Sequence, residues 1–252
     1  MKTKGFLSVL VVVCWMAGAG PAWSWYDKTH VAIARAAGYE YWFNAAGADL
    51  VKDKLGELRD REGNNHYFDN LQGKTVDSAM VLDQTRFYDQ LPADKKNKNE
   101  GHLYGAIVAA VREHDKWFRE GRDFLGYHLA FAAHYIGDLS MPNHNIPWMK
   151  DGYPANDAEA GKWHRENDGV VEKLVLGHPE KIRKQMYFIL LRDGHLEEDL
   201  ASEIARIANL SRSFGERLRA ERRVMTPEEA FVRLGHSASL LQAMLDYYRR
   251  NR

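Results

Sequence analysis

The 252-residue chain has a single cysteine, Cys14. An internal disulfide framework and a multi-cysteine zinc site are therefore both excluded, and any metal site must be built from His, Asp, Glu and backbone groups. Prolines number only seven, and alternating stretches joined by Asn-Gly or Asp-Gly hairpin turns are scarce, which argues against an all-β architecture. There is no excess charge of either sign: 35 basic residues face 35 acidic ones, so no basic surplus points to a polyanion and no acidic tail to a basic partner. The apolar run Phe6–Gly20 is shorter than the ~20 residues needed to cross a bilayer. No Gly-x-Ser-x-Gly segment offers a serine nucleophile on a tight elbow. Internal repeats, low-complexity tracts and long linkers are also missing.

What is present is ordinary globular composition, 45% hydrophobic and 28% charged, in a length ample for one large core. Residues 1–24 read as a secretory signal: Lys2 and Lys4, then the apolar run, then Ala22 and Ser24 at the small-residue positions before a cut. Cys14 is not a lipoprotein cleavage site, since Val13 precedes it where a small residue belongs. Cleavage after Ser24 leaves a cysteine-free chain that begins at Trp25 and carries two more acids than bases. The expected location is secreted or periplasmic.

The rest, residues 25–252, reads as one all-α domain, a multi-helix bundle. Apolar residues recur at three- and four-residue spacing over Gly101–Arg119, Asp123–Leu139, Ala155–Leu176, Pro179–Leu191, Glu197–Arg219 and Pro227–Arg249, with a first alanine-rich helix over Thr29–Phe43. Asp94–Glu100 reads as a charged loop and Asn143–Pro154 as a loop punctuated by Pro and Gly. Arg217–Arg223 reads as a solvated helix face.

Eleven histidines stand out. A His followed four residues later by an acid shares a helix face with it and can hold one metal. Chance alone gives one or two such pairs in this composition, and there are three: His134/Asp138, His164/Asp168 and His195/Asp199. The pairing itself is weak evidence, and His195/Asp199 reads as a surface contact. His134/Asp138 differs in its surroundings, Leu129-Ala130-Phe131-Ala132-Ala133-His134-Tyr135-Ile136-Gly137-Asp138. A helix apolar nearly all round is buried, and a buried carboxylate needs a partner charge or a metal. Pro142 stops that helix and His144 returns from the loop, completing His-x3-Asp-x5-His. His164/Asp168 lies on the next long helix, which a short loop brings alongside. For His102, His114 and His128 structural roles are the default.

These segments resemble the zinc-dependent phospholipase C and S1/P1 nuclease superfamily. The resemblance rests on His134-Tyr135-Ile136-Gly137-Asp138 through Pro142-x-His144, on the later His164/Asp168, on Trp25 as the new N-terminus with His30 five residues on, and on His66-Tyr67-Phe68-Asp69. It runs from Trp25 to about Asp168, with Met141 departing from the Gln usual before the proline. It implies an all-α fold of the phospholipase C/P1 nuclease type and three Zn2+ ions: one on Asp49, His66, His134 and Asp138, a second on the amine and carbonyl of Trp25, His30 and Asp138, a third on His144, His164 and Asp168. The aspartate upstream of His66 stays open. Ala48-Asp49 followed by Lys52 resembles the nuclease version, and Asp53 and Asp60 are alternatives.

The activity implied is that of a secreted zinc-dependent phosphodiester hydrolase, phospholipase C-like, with zinc-bound hydroxide attacking phosphorus and Asp49 and Asp138 as catalytic carboxylates. An S1/P1-like single-strand nuclease is the alternative; the short Trp25–His30 spacing and Asp168 in place of Glu speak for it. The compact length, the lack of disulfides and the lack of basic excess speak for the phospholipase. A non-catalytic extracellular zinc-binding module is the third reading. Expected partners are a phospholipid or nucleic-acid phosphodiester substrate and a transient membrane-surface contact, with no obligate protein partner. Tyr67, Phe68, Trp148 and Tyr153 either stack on substrate or pack structurally.

Overall fold

A computed structural model describes residues 25, 27–54, 59–68, 75–89, 101–123 and 126–251. The signal-like residues 1–24 and the charged loop Asp94–Glu100 lie outside the described residues. The fold is all-α. The described residues form ten α-helices: α1 (Asp27–Ala36), α2 (Gly47–Lys54), α3 (Arg59–Asn64), α4 (Ser78–Asp89), α5 (Leu103–Arg119), α6 (Gly126–Leu139), α7 (Asp157–Asp168), α8 (Pro179–Arg183), α9 (Leu196–Ala220) and α10 (Pro227–Arg250). Short 3-10 turns cover Trp42–Ala46, Pro142–Asn145 and Val175–Gly177. No described helix is long and apolar enough to cross a membrane.

α6 is the centre of the bundle. Every residue from Leu129 to Leu139 is buried, because α5 packs on one side of it and α1 and α10 on others. The run Leu103–Val111 of α5 is buried as well. α10 starts on a capping box, Thr226 with Glu229, behind Pro227, and ends on Arg249 and Arg250, so both termini are matched to the helix dipole. The Ser237 hydroxyl of α10 donates to the Ile136 carbonyl of α6 at 2.5 Å, so the two helices are keyed together at the turn that carries Asp138.

Four expected helices, over α5, α6, α9 and α10, agree with the structure to within a few residues. Three run shorter than the periodicity suggests. α1 ends at Ala36, not near Phe43. Gly38 sits at φ +76°, and a Schellman pair closes the helix, with the Tyr39 amide donating to Ala34 and the Gly38 amide to Arg35. α7 spans Asp157–Asp168 and gives way to turns from Gly169 on; beyond it the buried Val171 packs into the core from a turn and Val175 from the short 3-10 segment. α8 stops at Arg183, not Leu191. Beyond it the Gln185 backbone lies so close to Gly235 of α10 that a β-carbon there would fall 2.4 Å from Gln185 Cβ, and the Tyr187 amide donates to Ser239 at 2.9 Å. The Tyr187 amide thus finds its acceptor on α10, not one turn back along its own segment.

The arginine-rich stretch Arg217–Arg223 is not a uniformly solvated face. Arg219 is buried and its guanidinium donates to the Pro147 carbonyl, tying α9 to the loop that follows His144. Arg223 pairs through both terminal nitrogens with Glu229.

Candidate metal centre

Helix α6 presents His134 and Asp138 one turn apart, both fully buried. Its end is shaped by Asn145, whose side-chain amide donates to the Leu139 and Met141 carbonyls at 3.0 and 2.7 Å. The Tyr104 hydroxyl of α5 donates to the side-chain oxygen Oδ1 of Asn145 at 2.8 Å and holds that amide in place. The Asn145 bonds satisfy carbonyls left open at the helix end and fold the Pro142–Asn145 turn back, bringing His144 Nδ1 to 3.5 Å from Asp138 Oδ1.

The two oxygens of Asp138 serve different histidines. Oδ1 lies 3.3 Å from His30 Nε2 of α1 as well as near His144, and Oδ2 lies 2.9 Å from His66 Nδ1 and 3.3 Å from His134 Nε2. Asp49 of α2 reaches the same corner, with Oδ1 3.7 Å from both His66 Nδ1 and His134 Nε2. On the far side of His144, its Nε2 stands 3.2 Å from His164 Nε2, and His164 is 3.2 Å from Asp168 on α7. The ligand atoms thus form three compact groups, His30/His134/Asp138, Asp49/His66/His134 and His144/His164/Asp168, each able to hold a metal ion.

Electrostatics agree with this grouping. Burial by itself would raise the Asp138 carboxyl, but His134, His144 and His30 outweigh it and hold the group well below the usual carboxylate range. His30 is pushed the other way, below its ordinary value, by burial first and by neighbouring His134 second. A fully buried carboxylate ringed by imidazoles is costly unless charge balances, and divalent cations supply that balance while accepting neutral imidazole lone pairs.

Backbone contacts orient the ligands. His134 Nδ1 lies 2.7 Å from the Ala45 carbonyl oxygen, an atom that can only accept, so Nδ1 carries the proton and Nε2 offers its lone pair to the cluster. His30 stacks on His134 with ring centroids 3.8 Å apart. Gly137 permits this: a β-carbon on it would fall 2.4 Å from His30 Nδ1 and 2.8 Å from Cε1. Gly137→Ala is therefore expected to displace the His30 ring and weaken one bound ion by at least about tenfold, with about 1–3 kcal/mol lost from overpacking. Zinc titration by chelator competition and a denaturant melt check both; wild-type affinity in the variant would contradict the contact.

All eight side-chain ligands expected in the sequence, His30, Asp49, His66, His134, Asp138, His144, His164 and Asp168, fall in these groups. Asp49 reaches them; the side chains of Asp53 and Asp60 lie outside those described. Trp25 is fully buried just ahead of α1, in the same core as Ile33. His195/Asp199 is a surface element as expected, although Asp199 pairs with Arg192, at 2.6 Å. His114 and His128 lie against Tyr248 and Trp117, and His102 is buried ahead of α5. Among the aromatic residues, Phe68 packs on Tyr104 and Tyr153 on Trp163, whereas Trp148 leans on His164 at 5.4 Å.

One acid escapes a search for acids that follow a histidine. Glu62 precedes His66 by four residues, is buried, and lies 3.3 Å from His66 Nε2. Counting acids on both sides of each histidine would have flagged it. Comparisons of the chain with family models, with curated proteins and with solved structures each return no match.

Proposed function

We propose that this chain is a zinc-dependent phosphodiester hydrolase, phospholipase C-like, of the phospholipase C/S1-P1 nuclease type, exported and cut to begin at Trp25. The observation that supports this best is the division of Asp138: one oxygen faces His30 and the other faces His66 and His134. A carboxylate so placed suits two adjacent cations, with the third group close by across His144.

The donor set fits zinc. It consists of imidazole nitrogens and carboxylate oxygens with no sulfur, which zinc takes readily and magnesium or calcium does not favour. Asp49, His66, His134 and Asp138 would hold one ion, His30 and Asp138 with the Trp25 amine and carbonyl a second, and His144, His164 and Asp168 the third. Bound zinc supplies Lewis acidity, which makes water a competent nucleophile near neutral pH and offsets charge developing on phosphate.

The chain's own residues set where that chemistry takes place. Most of the ligands are sealed from solvent, but the Asp49 side chain keeps 15% of its surface exposed. Water and substrate reach the cluster from that side, and Asp49 is the carboxylate placed to orient water and take its proton. Asp138, fully enclosed, holds charge and geometry without exchanging protons with solvent. Trp148 beside His164 offers a flat surface to the substrate portion next to the third group.

The test is a substrate panel on the protein cut to begin at Trp25 and loaded with zinc. Choline phospholipid, single-stranded DNA and a phosphomonoester are assayed in parallel. Preferential release of a phosphorylated head group is expected. Preference for DNA would favour the nuclease reading, to which Asp168 and the Trp25–His30 spacing belong. Inactivity on all three with full occupancy would leave a zinc-binding module without catalysis.

A further inference from the structure

Glu62 lies outside the three ligand groups but is built into their support. It is buried at the end of α3, and three neighbours converge on its carboxylate. The Tyr135 hydroxyl of α6 donates to Oε1 at 2.7 Å, the Asn65 amide nitrogen donates toward Oε2 at 3.3 Å, and His66 Nε2 stands 3.3 Å from Oε1. Asn65 also reaches the Tyr135 hydroxyl, at 3.4 Å. The His66 ring is edge-on to Tyr135, with centroids 5.8 Å apart and planes at 90°, so it is walled in on that side.

His66 has two distinct ring nitrogens in two distinct settings. Nδ1 points into the cluster, 2.9 Å from Asp138 and 3.1 Å from His134 Nε2. Nε2 is fully buried and forms no hydrogen bond; the carboxylate beside it is Glu62, with Oε1 at 3.3 Å. A metal that takes the Nδ1 lone pair leaves the ring proton on Nε2, facing a carboxylate that accepts from Tyr135 and Asn65 and has only acceptor capacity left. Glu62 thus stands where it favours the tautomer that ligates inward, the role a carboxylate behind a histidine ligand is suited to.

We propose that Glu62, held by Tyr135 and Asn65, is a positioning residue that fixes the tautomer and orientation of His66, and so selectively sets the metal affinity of the Asp49/His66/His134 group. This rests on the reading of that group as a metal site, but not on what the metal does there. Glu62 touches no reacting atom; it acts through His66.

The experiment compares wild type, Glu62→Gln and Tyr135→Phe by zinc titration against a chromophoric chelator, with circular dichroism to establish folding. Glu62→Gln keeps the shape and removes the charge. One of three zinc equivalents is expected to weaken by about 10–100-fold, the range for loss of an outer partner, while the other two keep wild-type affinity and the melt of the metal-loaded protein barely moves. Tyr135→Phe frees one lone pair of Glu62 but leaves the carboxylate, so it should weaken the same equivalent by a smaller factor; it carries the test alone if Glu62→Gln does not fold. Cobalt substitution gives a second readout, because the ligand-field spectrum of one site should change and those of the others should not. Unchanged affinity for all three equivalents, or equal weakening of all three, overturns the inference by making Glu62 neutral or generally structural. Wild-type protein that binds no zinc overturns both this inference and the metal-site reading, whereas zinc-loaded wild type that hydrolyses nothing in the panel overturns only the proposed function.

Discussion

Asp138→Asn is expected to leave the protein with one zinc ion in place of three and to lower phosphodiester hydrolysis by about 10³-fold or more, since an electrostatic element of the transition state disappears together with the ions. The substitution barely changes volume, so the effect reports charge and lone pairs. Each oxygen of Asp138 is within 3.5 Å of at least two imidazoles. An amide replaces one of those oxygens with a nitrogen that can neither bind a cation nor accept from a ring N–H, and it removes the negative charge shared between two groups. His144, His164 and Asp168 retain a complete set of their own, so one ion should remain. Metal analysis by mass spectrometry after gel filtration, alongside turnover, checks both parts. Retention of three ions would show that Asp138 does not bridge.

The second large effect is expected from metal removal. The candidate ligands come from α1, α2, the stretch after α3, α6, the Pro142–Asn145 turn and α7, so bound ions would tie together segments far apart in sequence. Any ligand that binds only the folded chain stabilises it by mass action, about 4 kcal/mol for each ion at 1,000 times its Kd. A chain of this length shifts its Tm by about 2–4 °C per kcal/mol. Three bound ions together would therefore contribute roughly 25–50 °C, and dialysis against a strong chelator should lower Tm by that order. Stripping the ions also leaves a buried carboxylate and crowded imidazoles to balance one another. Thermal melts with and without chelator, followed by readdition of zinc, measure it. A Tm unmoved by complete removal would mean that the hydrophobic core alone holds the site together.

Particular elements show where sequence was enough. α5, α6, α9 and α10 are long, with sustained apolar periodicity, and α10 carries explicit start and stop signals, so local propensity and burial agree. α2 and α3 are short and polar, with few apolar positions to set a period, and went unanticipated. α8 was expected to continue to Leu191 because its composition is compatible with helix; its chain instead follows the surface of α10, a contact between residues some fifty positions apart. Composition likewise predicts a solvated Arg219, because its acceptor, the Pro147 carbonyl, is remote in sequence.

The candidate site divides in the same way. Two ligand pairs, His134/Asp138 and His164/Asp168, were legible because four residues on a helix are neighbours in space whatever the rest of the chain does. His144 was legible because a proline ends the helix just before it. Those local relations and the all-α class were determined by sequence alone, as was the exclusion of a multi-cysteine metal site. Tertiary structure decided the rest: that Asp49 reaches His66 and His134, that the oxygens of Asp138 are divided between histidines on separate segments, that Gly137 leaves room for the His30 ring, and that Glu62 backs His66. Helical periodicity specifies which side chains share a face, whereas the partners across an interface depend on how whole helices pack, and that packing is a sum over contacts no single segment contains.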